Sequence, residues 1–130
     1  MRYYVDTSAA GKLLADETES DALAQFLDEI AERGDTLVSC LLLETELRRM
    51  ATRWSLSQRS VSELLLRFEL LLPDRTVYRE AGLLAGTRTR SLDALHVTSA
   101  LRLDAAALIT YDARQSDAAE TLGLHVITPS

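Results

Sequence analysis

The 130-residue chain lacks most of what stabilises secreted or membrane proteins. Cys40 is its only cysteine, so no internal disulfide framework exists, and a reducing cytoplasm is the expected setting. No apolar run approaches the ~18 residues that span a bilayer, and no membrane partner is expected. The N-terminus meets Asp6 before the apolar segment of a secretion signal can form. Positive charge is also scarce: the formal net charge is −6, which argues against broad electrostatic binding of nucleic acid. Lys12 is the sole lysine among 14 basic residues. Arginine forks suit carboxylate or phosphate recognition, and a general bias toward arginine accounts for the same count.

What is present reads as one domain over residues 1–130, with 47% hydrophobic residues and no repeat, linker or low-complexity tract. Short strand signals fall at 2–5 (RYYV), 36–39 (TLVS), 106–110 (AALIT) and 125–128 (HVIT). Helical patterns occupy 9–15, 20–33, 41–54, 57–71, 78–86, 92–103 and 113–122. Gly34-Asp35 and Gly123 act as helix stops, and Pro73-Asp74 as a turn. Strands alternating with helices predict an α/β domain whose mostly parallel sheet has four to five short strands covered by helices.

Ligands of open parallel sheets bind beyond the carboxyl ends of the strands. Asp6 ends RYYVD and Asp112 ends AALITYD, so both stand there, each just before a helix whose positive end favours an anion. Helix capping explains either one alone; two at equivalent strand ends suggest a shared acidic site. Asp93, in SLDALHVTSALRL, falls in a first helical turn after an expected Ser91 cap. Leu43, Glu46, Leu47, Met50 and Trp54 recur at helical spacing, which turns Glu46 inward. Glu44 lies on the other face and meets Arg48 at i+4 as a solvated pair. His96, three residues after Asp93, reads as a core histidine within reach of that site. Arg48, Arg49, Arg53, Arg88 and Arg90 either flank an RNA path or pair with the chain's acids.

VDTSA at the N-terminus, TEL after the second strand, SLDALHVTSA and TYDAR together resemble the motif series of PIN-domain proteins, and more narrowly the VapC-type toxins of bacterial toxin–antitoxin pairs. The resemblance runs in order along the whole chain, and SLDALH and TYDAR are its more specific parts. It implies a PIN-like nuclease domain whose Asp6, Glu46, Asp93 and Asp112 hold magnesium and cleave RNA. It also implies a small antitoxin partner, for which residues 12–26 are the candidate docking wall. Members often carry a further polar or acidic residue after the last aspartate; Asp117 stands there, its role open. A homodimer is likewise left open.

The chemistry is consistent with that implication. Two unit charges ~5 Å apart repel by roughly 3 kcal/mol at an effective dielectric near 20, so clustered carboxylates call for a cation. Oxygen-only ligation favours Mg²⁺, with Mn²⁺ as substitute. Zinc is a poor match, because Cys40, His96 and His125 share no ligand spacing. Thr7, Ser8 and Thr110 are candidates to orient a water or a phosphate oxygen, or else cap helices and close strand ends. Competing readings are a PIN-fold nuclease acting on structured DNA or in RNA processing, and a non-catalytic binding module. A haloacid-dehalogenase-like phosphotransferase would want an aspartate where Ser8 stands. A receiver domain would want a lysine at a late strand end.

Overall fold

The computed structural model describes residues 1–130. In chain order the elements are β1 (Arg2–Val5), α1 (Thr7–Gly11), α2 (Ser20–Glu32), β2 (Thr36–Cys40), α3 (Leu42–Arg53), α4 (Gln58–Leu65), β3 (Glu69–Leu71), α5 (Arg75–Gly82), α6 (Ser91–Arg102), β4 (Ala107–Ile109), α7 (Ala113–Thr121) and β5 (Val126–Ile127). The five strands form one sheet in the order β3-β2-β1-β4-β5, and all four neighbouring pairs are parallel.

The period-two alternation of a strand explains how the helices divide between the two faces. Val5, Leu37 and Ile109 point to one side, where α1 to α4 supply Ala9, Leu23, Leu27, Ile30, Leu43, Leu47 and Val61. Tyr4, Val38, Cys40 and Leu108 point to the other, against Val97 and Ala100 of α6 and Ala119 of α7. The central strands are thus apolar on both faces, as parallel strands under helices must be. Leu47 is fully buried beside Glu46, and truncating it to alanine would cost about 2–5 kcal/mol.

The sheet also makes the crevice. From β1 the chain moves to β2 and β3 on one side, then returns to β4 and β5 on the other. The strand order therefore reverses beside β1, and the carboxyl ends of β1 and β4 flank the opening. Asp6 follows the first of these strands and Thr110–Asp112 the second.

Three sequence expectations are corrected. The helix expected over 57–71 stops at Leu65; Phe68 turns into the core, and Glu69–Leu71 pair with Val38–Cys40 as an edge strand. A short leucine run serves either geometry, and pairing with β2 decides it. Trp54, expected on the inward stripe, is the residue after the last turn of α3 and is half exposed. Ser91 is the first residue of α6 rather than its cap, a position taken by Arg90, and Asp93 keeps its place in the first turn.

Candidate active site

At the end of β1 the chain leaves extended conformation at Asp6, whose side chain caps α1. The carboxylate is almost fully buried and well supplied with donors. Oδ1 accepts from Ser8 Oγ at 2.7 Å and Ala9 N at 3.1 Å, and Oδ2 accepts from Thr110 Oγ1 at 2.5 Å. Burial nonetheless raises its pKa above the ordinary carboxylate value, against the pull of those hydrogen bonds. Thr110 reaches it from the end of β4, so the two strands flanking the crevice are tied through Asp6.

Glu46 enters from α3. Gly11 lets α1 cross this helix closely: a Cβ there would lie 2.7 Å from Sδ and Cε of Met50. The approach brings Thr7 Oγ1 to Glu46 Oε1, to which it donates at 2.6 Å. His96 Nε2 meets the same oxygen at 2.6 Å, while its Nδ1 lies 2.7 Å from the Tyr4 hydroxyl. Burial raises the Tyr4 pKa well above its usual value, so the phenol keeps its proton and donates to Nδ1. That assigns the tautomer carrying its proton on Nε2, which donates to Glu46. Burial by itself would raise Glu46; the hydrogen bonds from His96 and the Thr7 hydroxyl hold it below the carboxylate range. Glu44 instead pairs with Arg48 at 3.0 Å on the outer face, as the helical spacing predicts.

Asp112 caps α7, accepting at Oδ1 from the backbone N–H groups of Arg114 at 2.8 Å and Gln115 at 3.3 Å. Asp93 differs from the other three acids. It projects from the first turn of α6, half buried, and its carboxylate accepts no hydrogen bond. Burial, then repulsion from Asp112 and from Glu46, raise its pKa, with His96 and Arg90 opposing.

The four acids expected at one metal are therefore held in different ways. Asp112 and Glu46 each act on Asp93 electrostatically, whereas Asp6 is turned inward onto Ser8, Ala9 and Thr110. No three histidine, cysteine, aspartate or glutamate side chains converge closely enough to hold a metal ion. Both oxygens of Asp6 are held by protein donors, whereas Glu46 and Asp112 each keep one oxygen free of them. The donor set still suits a hard divalent cation, being carboxylates and hydroxyls around one unpartnered, mutually repelling acid.

Other candidates separate clearly. Thr7, Ser8 and Thr110 are committed to carboxylates rather than open to a water or phosphate. Asp117 stands apart on the exposed side of α7, facing a separate cleft. The buried Tyr4–His96 pair behind Glu46 is the part that the sequence signalled least: the spacing from Asp93 placed His96 nearby, but nothing local pointed to Tyr4.

The chain belongs to the PIN-domain family, whose model matches residues 3–121. It is 38% identical over 129 residues to Ribonuclease VapC46 of Mycobacterium tuberculosis, covering 98% of this chain and 97% of that one. Ribonuclease VapC35 of the same organism is 36% identical over 131 residues, covering 97% and 96%. Among solved structures, the fold matches VapBC2 from Rickettsia felis bound to a DNA fragment from its promoter, with a TM-score of 0.73, 16% identity and full coverage of both chains. It also matches VapBC-1 from nontypeable Haemophilus influenzae, with a TM-score of 0.67, 20% identity and coverage of 98% and 97%.

Proposed function

We propose that this chain is a Mg²⁺-dependent endoribonuclease, with Mn²⁺ as a working substitute, and the toxin of a toxin–antitoxin pair. One observation carries the reading: the unpartnered Asp93 carboxylate stands beside Asp112 and Glu46 at the carboxyl end of a parallel sheet. A protein gains no stability from leaving an acid there without a donor, and a cation-dependent reaction on an anionic substrate gives it a use. The ribonuclease names of the mycobacterial relatives and the VapBC assemblies among the structural neighbours support the same assignment.

Asp6, Glu46, Asp93 and Asp112 would hold the metal. When bound, such an ion lowers the pKa of a coordinated water and offsets charge that develops on the phosphate. The chain's own residues set the geometry. Tyr4 orients His96, and His96 with Thr7 fixes the oxygen of Glu46. Ser8, Thr110 and the Ala9 N–H fix Asp6, and the first turn of α7 fixes Asp112. Asp93 is free to move toward a ligand. A small antitoxin would inhibit by placing an arginine or lysine among these acids, with residues 12–26 as its docking wall.

The test is cleavage of total cellular RNA after induced expression, with cut sites mapped, alongside Asp93→Asn. Metal-dependent cuts that vanish in the variant support the reading. A well-folded wild-type protein that leaves RNA intact with Mg²⁺ or Mn²⁺ refutes it.

A further inference from the structure

An acidic protein that handles an anion needs local cations, and several of its basic residues are engaged elsewhere. Of the 14 basic side chains, Lys12, Arg33, Arg48, Arg59, Arg67 and Arg102 are ion-paired with carboxylates. Arg88, Arg90 and Arg114 are among the eight that are not, and Arg90 and Arg114 fall near the acidic end of the molecule. Arg90 caps α6 three residues before Asp93, and the Arg114 N–H is bonded to Asp112.

Arg88 and Arg114 share a cleft. The loop at 83–90 stands off α7 and leaves a volume of about 610 Å³, lined by Leu84, Thr87 and Arg88 on one side and by Arg114, Asp117 and Leu122 on the other. The size falls within the ~300–1,000 Å³ typical of small-ligand sites. The lining sorts by chemistry. Leu84 and Leu122 offer an apolar surface to a ring face, and the two guanidinium groups offer forks to a phosphate. The Asp117 carboxylate has neither an ion pair nor a hydrogen bond, so it is available to accept one. Gly86, at φ +102°, gives the loop its turn over the cleft, a conformation that disfavours any side chain.

We infer that this cleft binds one nucleotide of the RNA strand next to the scissile phosphate, with Arg88 and Arg114 on its phosphate and Asp117 accepting from a base amino group. The inference rests on the ribonuclease reading and extends it, because it gives the strand a direction away from the acids and assigns base discrimination to Asp117. A carboxylate selects for exposed N–H donors, as on cytosine or adenine, and penalises a base edge that presents only acceptors.

Binding is measured in the Asp93→Asn background, by fluorescence anisotropy, with a labelled single-stranded RNA of mixed sequence and ~12 nucleotides. Arg88→Gln with Arg114→Gln should weaken binding at least ~10-fold and lower the salt dependence by about 0.7, the slope of one neutralised phosphate on single strands. Arg88→Lys with Arg114→Lys should restore the salt dependence, since it keeps the charge. Arg59→Gln, on an exposed arginine already paired with Glu63, should change nothing. Asp117→Ala should alter the ranking of oligo-A, -C, -G and -U while leaving the salt dependence intact. Active wild-type protein together with unchanged affinity and salt dependence in the double glutamine variant overturns the cleft assignment alone. An unchanged base ranking overturns the role of Asp117. Wild-type protein that neither binds nor cuts RNA overturns the ribonuclease reading and this inference with it.

Discussion

Burial raises both Asp93 and Asp6, but only Asp93 is raised further by acidic neighbours and only Asp6 is bonded to protein donors, so their substitutions should differ. Asp93 is raised by burial and by its acidic neighbours, so Asp93→Asn removes repulsion without leaving a donor unpaired. We expect loss of nuclease activity with the apo melting temperature held or raised. Saturating Mg²⁺ should stabilise the wild type, by about 2.7 kcal/mol at a hundredfold excess over Kd, and should leave this variant unmoved. Calorimetric melts with and without the ion check both points, and a variant that unfolds or cleaves normally counts against the site. The two glutamates of α3 give a second contrast. Glu46→Gln should reduce Mg²⁺-dependent cleavage strongly, whereas Glu44→Gln should cost only an exposed pair worth ~0.3–0.5 kcal/mol. Behind them, Tyr4→Phe removes the donor to His96 Nδ1. Its expected effect is a ~10–100-fold loss of activity, the usual size when a partner that orients a ligand is lost. A melting curve on the same preparation separates misorientation from unfolding.

At the scale of elements, α5 and α6 are joined by a fork-to-fork contact in which Arg102 Nε and Nη2 donate to Glu80 at 3.0 and 2.9 Å. Hydrogen bonding to Arg102 holds Glu80 below the ordinary carboxylate range. An acid lowered in the folded state contributes stability above its unfolded pKa, about 4.3, and loses it as pH falls through the folded value. The stability difference between wild type and Glu80→Gln should therefore be present at neutral pH, shrink below about pH 4 and weaken with salt. Urea melts at several pH values test this, and a gap that widens on acidification would refute it. Elements also mark where the sequence was readable. β1, β2, β4 and α6 carry unambiguous apolar patterns and were legible. β3 was not, because ELL next to a leucine-rich helix has no period of its own and becomes a strand only by pairing with β2. The acids were legible one by one as strand-end and first-turn carboxylates. Their arrangement was not: that Asp6 turns inward while Asp93 stands unpartnered depends on hydroxyls from Ser8 and Thr110, which are 102 residues apart. The cleft of Arg88 and Arg114 left no local trace either, since it exists only once the 83–90 loop lies beside α7.

Across the whole molecule, the central strand is also the earliest. β1 pairs with β2 at Thr36–Val38 on one side and with β4 at Ala107–Ile109 on the other. The acidic end draws on residues 6, 46, 93 and 112. Chains emerge N-terminus first at ~5–20 residues per second, so roughly 5–20 s of synthesis separate Asp6 from Asp112. During that interval one edge of β1 has no partner, Asp6 lacks the Thr110 hydroxyl, and Glu46 lacks His96. On the proposed reading, a centre spread along the chain in this way is incomplete until Asp112 has been made. A nuclease built this way would be inert toward its own ribosome and message while the residues before Asp112 are being made.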